Sequence, residues 1–139
     1  MFKKILLAAD GSSHSLRAAE KALELAKKNK ASKVDVLYVV DGNTSKQDVL
    51  HSWNSIGVET KRREKMNLIE KKALKLEINY EIMIIRGEPG PTIVRFANKN
   101  EYDLVVIGSR GLNMMQEMVL GSVSHKVAKR VLCPVLIVK

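Results

Sequence analysis

Glycine and serine residues near the C-terminus form the pattern that points most directly to ligand chemistry. Gly108-Ser109-Arg110-Gly111 follows an apolar run, and Gly121-Ser122-Val123-Ser124 begins a helical pattern further along the chain. A glycine turn lets the backbone approach a phosphate without a Cβ clash, and a helix N-terminus presents unpaired N–H groups with partial positive charge. The hydroxyls of Ser122 and Ser124 and the guanidinium of Arg110 add further donors. The pattern therefore indicates a phosphate site; a plain glycine turn followed by a Ser122 N-cap is the alternative.

Other kinds of chemical site find little support in the sequence. The P-loop and G-x-G-x-x-G patterns are absent, so no lysine is placed on the β- and γ-phosphates by a known motif. His14, His51 and His125 are scattered, and we expect no metal site built from protein side chains. Asp10, Ser12 and His14 lie within one short turn, too close in sequence for the geometry of a catalytic triad.

Five short apolar runs predict the strands that position these residues. Four of them are nearly continuous in Val, Ile and Leu, which is typical of parallel strands buried on both faces. The third begins with alternation, so we expect it near an edge of the sheet. The runs are residues 2–9, 34–40, 80–85, 104–107 and 135–138.

Helical patterns lie between the apolar runs. Apolar residues at three- and four-residue steps predict helices over 13–28, through 66–76, from Pro91 and through 123–131. This alternation, without a break in composition, predicts a single α/β domain over 1–139, an open parallel sheet with helices on both faces. Ligands bind such sheets beyond the C-terminal ends of the strands, where the strand order reverses.

Two stretches fit no regular element. Residues 41–59 are polar, and we expect a mobile loop in which Trp53 either anchors the loop or touches a partner. Residues 112–120 hold three of the six methionines and lie between two glycines. We expect them to form a flap packed on the domain.

Composition and charge limit the class of protein. Hydrophobic residues make up 45% and charged residues 28% of the 139 residues, which is enough apolar material for a globular core. No apolar run approaches the roughly 20 residues of a membrane span, so we expect a soluble, cytoplasmic protein without a membrane partner.

The net charge of +9 raises the possibility of a polyanionic partner. Seven basic residues fall within the helical pattern of 61–75. None of the six aromatic residues interleaves this stretch, so base stacking has no platform there. A polyanion or nucleic-acid binder stays an alternative, and a solvated lysine-rich surface is the simpler explanation.

The glycine spacing resembles that of the universal stress protein family. Two residues separate Gly108 from Gly111 and nine separate Gly111 from Gly121, as in the nucleotide pattern of that family. The resemblance covers the whole chain. Residues 3–12 are similar to the family's opening strand and turn, 87–89 to its third-strand exit and 133–138 to its closing strand.

That resemblance implies a Rossmann-like fold with a five-stranded parallel sheet in the order 3-2-1-4-5. It places adenine against the ends of the first two strands, although some members carry a proline where this chain has Ala8. It places the glycine turn beside the ribose and α-phosphate, and the helix start at the outer phosphates, often with Mg bound mainly by those phosphates. The residues with implied nucleotide-binding roles are Ala8, Asp10, Val39, Gly108, Ser109, Arg110, Gly111, Gly121, Ser122, Val123 and Ser124.

The resemblance favours an ATP-binding regulatory module of the stress response. Nucleotide binding would order 112–120 and 41–59 and so change a surface that a protein partner recognises. A slow ATPase or nucleotide-transferring enzyme at the same site is the alternative, but the sequence offers no dedicated general base and no H-x-G-H. A homodimer through 135–138 would cover an otherwise exposed edge strand.

Overall fold

Strands and helices alternate along the residues that this computed structural model describes, which are 2–10, 13–40, 60–110 and 120–139. The strands are β1 (Lys4–Ala9), β2 (Lys33–Val40), β3 (Asn79–Arg86), β4 (Leu104–Gly108) and β5 (Val135–Val138). The helices are α1 (Ser13–Lys27), α2 (Thr60–Lys75), α3 (Pro89–Lys99) and α4 (Ser122–Arg130). The predicted α/β alternation is confirmed.

The strands form one parallel sheet in the order β3-β2-β1-β4-β5, as predicted. β1 lies at the centre, where Ile5 pairs with Val34 of β2 on one side and with Leu104 of β4 on the other. The chain moves outward from β1 to β3 and then crosses to β4 and β5. The strand order therefore reverses between β1 and β4, which is where open parallel sheets bind ligands.

Each face of the sheet packs against two helices. Successive side chains of β1 point to opposite faces, so Ile5 and Leu7 belong to one buried cluster and Leu6 and Ala8 to the other. The helices α1 and α2 cover the first face, and α3 and α4 cover the second. Burial on both faces explains why the central strands read as continuous apolar runs.

The predicted ends of the elements differ from the observed ends by small amounts. The helix expected from Pro91 begins at Pro89, so both prolines lie in its first turn, where a missing N–H removes no helical bond. β3 is an edge strand, as its alternation predicted, and its residues are half-buried or exposed.

Some predictions concern residues outside the described ranges. These are the loop 41–59 with Trp53, the flap 112–120 apart from Leu120, and Gly111. Within the described ranges, no helix is long and apolar enough to cross a membrane.

Candidate functional site

The C-terminal ends of β1 and β4 lie side by side where the strand order reverses. Ala8 pairs with Ile107, so Asp10 and Ser109 follow adjacent strands at the same edge of the sheet. Asp10 is half-buried, and Ser109 is buried. The tertiary structure thus brings together two of the predicted site residues that lie about a hundred positions apart in the sequence.

Ser109 joins β4, β5 and α4 through its main chain. Its N–H donates to the Val138 carbonyl at 2.8 Å, next to the last β4–β5 residue pair. Its carbonyl accepts hydrogen bonds from the Gly121 N–H and from the Ser124 hydroxyl, both at 2.8 Å. The N-terminus of α4 is therefore held directly against the end of β4.

The first turn of α4 presents main-chain donors and contains no acidic residue. Gly121 is the N-cap residue, with φ −72° and ψ 164°, and no side chain of the described residues caps the helix. The first bond within the helix runs from the His125 N–H to the Gly121 carbonyl at 2.9 Å. The N–H groups of Ser122, Val123 and Ser124 consequently have no partner inside the helix, and they carry the positive end of its dipole.

The two serines of α4 differ in their surroundings. Ser122 is exposed, whereas Ser124 is only 2% exposed. The Ser124 hydroxyl is directed at the carbonyls of Ser109 at 2.8 Å and Gly121 at 3.1 Å. Because these carbonyls engage its one hydroxyl proton, the donor that Ser124 can offer a ligand is its main-chain N–H.

Gly108 allows α1 to pack directly on the end of β4. A Cβ placed on Gly108 would lie 2.8 Å from both the carbonyl carbon and the Cβ of His14. Real side chains do not tolerate so short a contact with backbone. This glycine is therefore required by packing between β4 and α1, whatever it contributes to a ligand.

His14 connects that packing to charged neighbours. The Arg17 guanidinium lies 2.9 Å from the His14 Nδ1, and the Ser109 hydroxyl oxygen lies 3.4 Å from the same nitrogen. The Arg17 Nε donates to the main-chain carbonyl of Lys139 at 2.8 Å. Partial burial and the positive charges of Arg17 and Arg110 lower the pKa of His14, and Asp10 opposes them.

No sequence motif identifies His14 and Arg17 as site residues. The one signal in the sequence is their three-residue spacing on a predicted helix, which puts them on the same helical face. No sequence pattern near these two residues indicates that this face of the helix packs against the turn after β4. Arg110, which was predicted, is half-buried and close enough to affect His14 electrostatically.

An apolar wall lies on the α3/α4 side of the same edge. Ala8 and Ile107 are 5% and 7% exposed, and the half-buried Val39 packs against the cluster to which both belong. The family resemblance implies that Ala8 and Val39 both face adenine. The structure places them on one face of neighbouring strands.

The exposed lysines at the C-terminal end of α2 lie away from this edge of the sheet. Lys71, Lys72 and Lys75 of α2 are exposed near the end that leads into β3, hence toward the N-terminal ends of the strands. Side chains at 60–66 lie outside the described residues. Across the described ranges, no three His, Cys, Asp or Glu side chains are grouped so as to hold a metal ion.

Comparisons with known proteins agree with the fold. The family model described as "Universal stress protein family" matches residues 1–139. Universal stress protein YxiE of Bacillus subtilis is 37% identical over 150 residues, covering 100% of both chains. The solved structure of MJ0577 of Methanocaldococcus jannaschii has a TM-score of 0.77 at 29% identity, covering 100% of this chain and 96% of that one. A universal stress protein from Archaeoglobus fulgidus in complex with dAMP shares the fold, with a TM-score of 0.70 at 22% identity and coverage of 100% and 98%.

Proposed function

Since the chain belongs to the universal stress protein family, we propose that it binds an adenine nucleotide, specifically ATP, and acts as a nucleotide-dependent regulatory module in a stress response. The observation that carries this proposal is the uncapped first turn of α4, held against the Ser109 carbonyl where the strand order reverses. Unpaired N–H groups at the positive end of a helix dipole are suited to a phosphate.

The phosphates would occupy the N-terminus of α4. Their oxygens would accept hydrogen bonds from the N–H groups of Ser122, Val123 and Ser124 and from the exposed Ser122 hydroxyl. Gly121 lets the ligand approach this turn closely because it has no side chain. Arg110, just after β4, would add a positive charge. Gly111 would lie beside the ribose and α-phosphate, as the family resemblance implies.

The adenine would lie on the apolar wall beyond the strand ends. Ala8 and Val39 would supply flat apolar contact, and the Asp10 carboxylate would accept a hydrogen bond from the ribose or the base. Solved universal stress proteins in complex with cAMP, AMP and dAMP support an adenine nucleotide as the ligand class.

A Mg ion, if bound, would be held mainly by the phosphates. The described residues offer no ready-made set of side-chain ligands. Mg²⁺ commonly keeps several waters and binds through substrate phosphates with only one or two protein oxygens. In this site the ion would neutralise phosphate charge, and the chain's donors would orient the nucleotide.

We assign no catalytic base to this site. In the proposed arrangement Asp10, which follows β1, would face the nucleoside rather than the outer phosphates. Any ATP hydrolysis is therefore expected to be slow, and binding rather than turnover would carry the signal.

The site is connected to the C-terminal strand, which offers a route from ligand to surface. Ser109 contacts the N-terminus of α4 and the Val138 carbonyl at the end of β5. A ligand that favours one arrangement of this turn would also favour one arrangement of β5. A protein partner, or a second copy of this chain, would recognise the change.

The test is calorimetric titration of ATP, with magnesium, into the protein and into Gly121→Val. Gly121 has an extended backbone that valine also adopts, so the fold should survive while the side chain blocks the first turn of α4. We expect ATP affinity to fall by at least about tenfold. Ala128→Val, on an exposed position of the same helix, is the matched control and should bind normally.

Two results would contradict the proposal. One is unchanged ATP affinity in a folded Gly121→Val protein, which would show that ATP does not bind at the N-terminus of α4. The other is the absence of binding for every adenine nucleotide in the unmodified protein. Mass spectrometry of small molecules released from freshly purified protein would identify the nucleotide that it carries.

A further inference from the structure

His14 lies in a cluster of charged groups that the proposed phosphate contacts do not use. Its Nδ1 is 2.9 Å from the Arg17 guanidinium and 3.4 Å from the Ser109 hydroxyl oxygen. Four charged or polar groups from different elements surround it: Arg17 on α1, Arg110 and Ser109 after β4, and Asp10 after β1. This is the only histidine of the described residues that contacts the turn after β4 in a hydrogen-bonding arrangement.

The contact with Arg17 indicates the protonation state of the His14 imidazole. A guanidinium can only donate hydrogen bonds, so the His14 Nδ1 must accept and the ring must be neutral. Partial burial and then the two neighbouring guanidinium groups favour that neutral form, since all three lower the pKa of His14 and only Asp10 raises it. Protonation would turn Nδ1 into a donor and remove the acceptor for Arg17.

Ser109 places this cluster directly behind the proposed phosphate position. Its hydroxyl oxygen faces His14, and its carbonyl accepts hydrogen bonds from Gly121 and Ser124 at the start of α4. A phosphate on the first turn of α4 would thus be separated from His14 by a single residue. Partly buried charges are screened by salt much less than exposed ones.

We propose that His14 takes up a proton when a phosphorylated ligand occupies the N-terminus of α4, so that the site binds such ligands more tightly as the pH falls. This inference rests on the proposed function and specifies how the same site is regulated. The negative charge of the ligand would offset the two arginines, and the imidazolium would then face the phosphate across Ser109. Release of Arg17 from Nδ1 would accompany the change, although its Nε contact with the Lys139 carbonyl can persist.

The size of the change in ATP affinity with pH follows from the thermodynamic linkage between ligand binding and protonation of His14. A ligand that raises the pKa of one group by one unit binds its protonated form about tenfold more tightly. We expect ATP affinity to rise by up to about tenfold between pH 8 and pH 6 through His14 alone. Adenosine, which lacks phosphate, should show no such increase.

The experiment is calorimetric titration of ATP near pH 6.5 in buffers with different ionisation enthalpies, which counts the protons taken up on binding. We expect a measurable fraction of one proton per ATP in the unmodified protein. In His14→Asn, an amide oxygen still accepts from Arg17 but does not titrate, so ATP should bind while the proton uptake falls. Protonation of ATP itself is common to all variants and cancels in the comparison.

His125→Asn is the matched control, since it removes a histidine that is exposed on α4. It should keep the proton uptake of the unmodified protein. Uptake that persists in His14→Asn, or that disappears in His125→Asn, would overturn the inference while leaving ATP binding intact. Absence of ATP binding at every pH would overturn the proposed function and this inference with it.

Discussion

Gly108 and Ser109 show how two adjacent residues serve different purposes at the end of β4. Gly108 leaves room for the backbone of His14, and Ser109 binds β5 and α4 through its N–H and carbonyl. The glycine motif in the sequence implies that both residues contact the nucleotide. The structure adds that each also holds a helix in place, so substitutions here will combine effects on folding and on binding.

We therefore expect Gly108→Ala to destabilise the fold before it affects any ligand. The added methyl group would lie 2.8 Å from the His14 backbone, and α1 would have to move away from β4. Such overpacking typically costs about 1–3 kcal/mol of unfolding free energy. Urea unfolding followed by circular dichroism would measure it. The exposed Ser122→Ala should change stability far less, and equal midpoints for Gly108→Ala and the unmodified protein would refute this packing role.

At the scale of elements, two tyrosine hydroxyls join separate parts of the fold by hydrogen bonds. The Tyr102 hydroxyl donates to the buried Asp35 carboxylate at 2.7 Å, and Lys33 lies 3.3 Å from the other oxygen of that carboxylate. The Tyr80 hydroxyl donates to Glu70 at 2.7 Å, which links β3 to α2. Apolar packing tolerates small sliding movements, whereas these directional bonds favour one arrangement.

The Tyr80–Glu70 bond gives the link between β3 and α2 a defined pH dependence. Burial first, and then the Glu70 carboxylate, raise the pKa of Tyr80 to about 12. An acid whose pKa is raised on folding stabilises the fold fully below its unfolded value of about 10, and that stability is lost as the pH rises toward 12. The stabilisation by Tyr80 relative to Tyr80→Phe should therefore shrink above pH 10.

Urea unfolding of both proteins between pH 8 and pH 11 would test this expectation. At pH 8 we expect Tyr80→Phe to be less stable by about 1 kcal/mol, the usual net value of one hydrogen bond. A difference that stays constant up to pH 11 would show that the Tyr80 hydroxyl does not titrate with a raised pKa in the folded protein.

At the scale of the whole molecule, the exposed side of β5 is the feature with the clearest consequence. β5 is the outermost strand beside β4, and Leu136 on it is 37% exposed. Leu132, in the turn before β5, is 86% exposed, and Asn98 accepts a hydrogen bond from its N–H at 2.9 Å. An unpaired apolar edge favours association, and pairing with a second copy would cover it.

We therefore propose a homodimer through β5 and expect Leu136→Lys to weaken it. The substitution would place two lysines at the shared edge, and charges of the same sign facing each other oppose strand pairing. Sedimentation velocity at tens of micromolar should show a dimer for the unmodified chain and a shift toward monomer for the variant. Leu74→Lys changes a leucine on α2 that is 63% exposed and should leave the dimer intact. A monomeric unmodified protein would refute the proposal.

The elements and the position of the candidate site could be predicted because their signals are local. Continuous apolar runs predicted the central strands, and alternation predicted β3 as an edge. The glycine turn before a helical pattern predicted the uncapped N-terminus of α4 as a candidate anion site. Side-chain periodicity follows from backbone geometry, so a short window of sequence contains the information. The order of the strands came from the family resemblance and not from periodicity.

Only the tertiary structure decided which side chains meet behind the glycine turn. The His14–Ser109 contact spans 95 residues of sequence, and the Arg17–Lys139 contact spans 122. Neither leaves a local pattern, because each forms only when β1, β4 and β5 lie side by side with α1 packed on Gly108. The sequence by itself therefore determined the elements and the phosphate-binding pattern. The packing of distant strands decided that Ser124 uses its hydroxyl internally and that a histidine stands behind the proposed phosphate position.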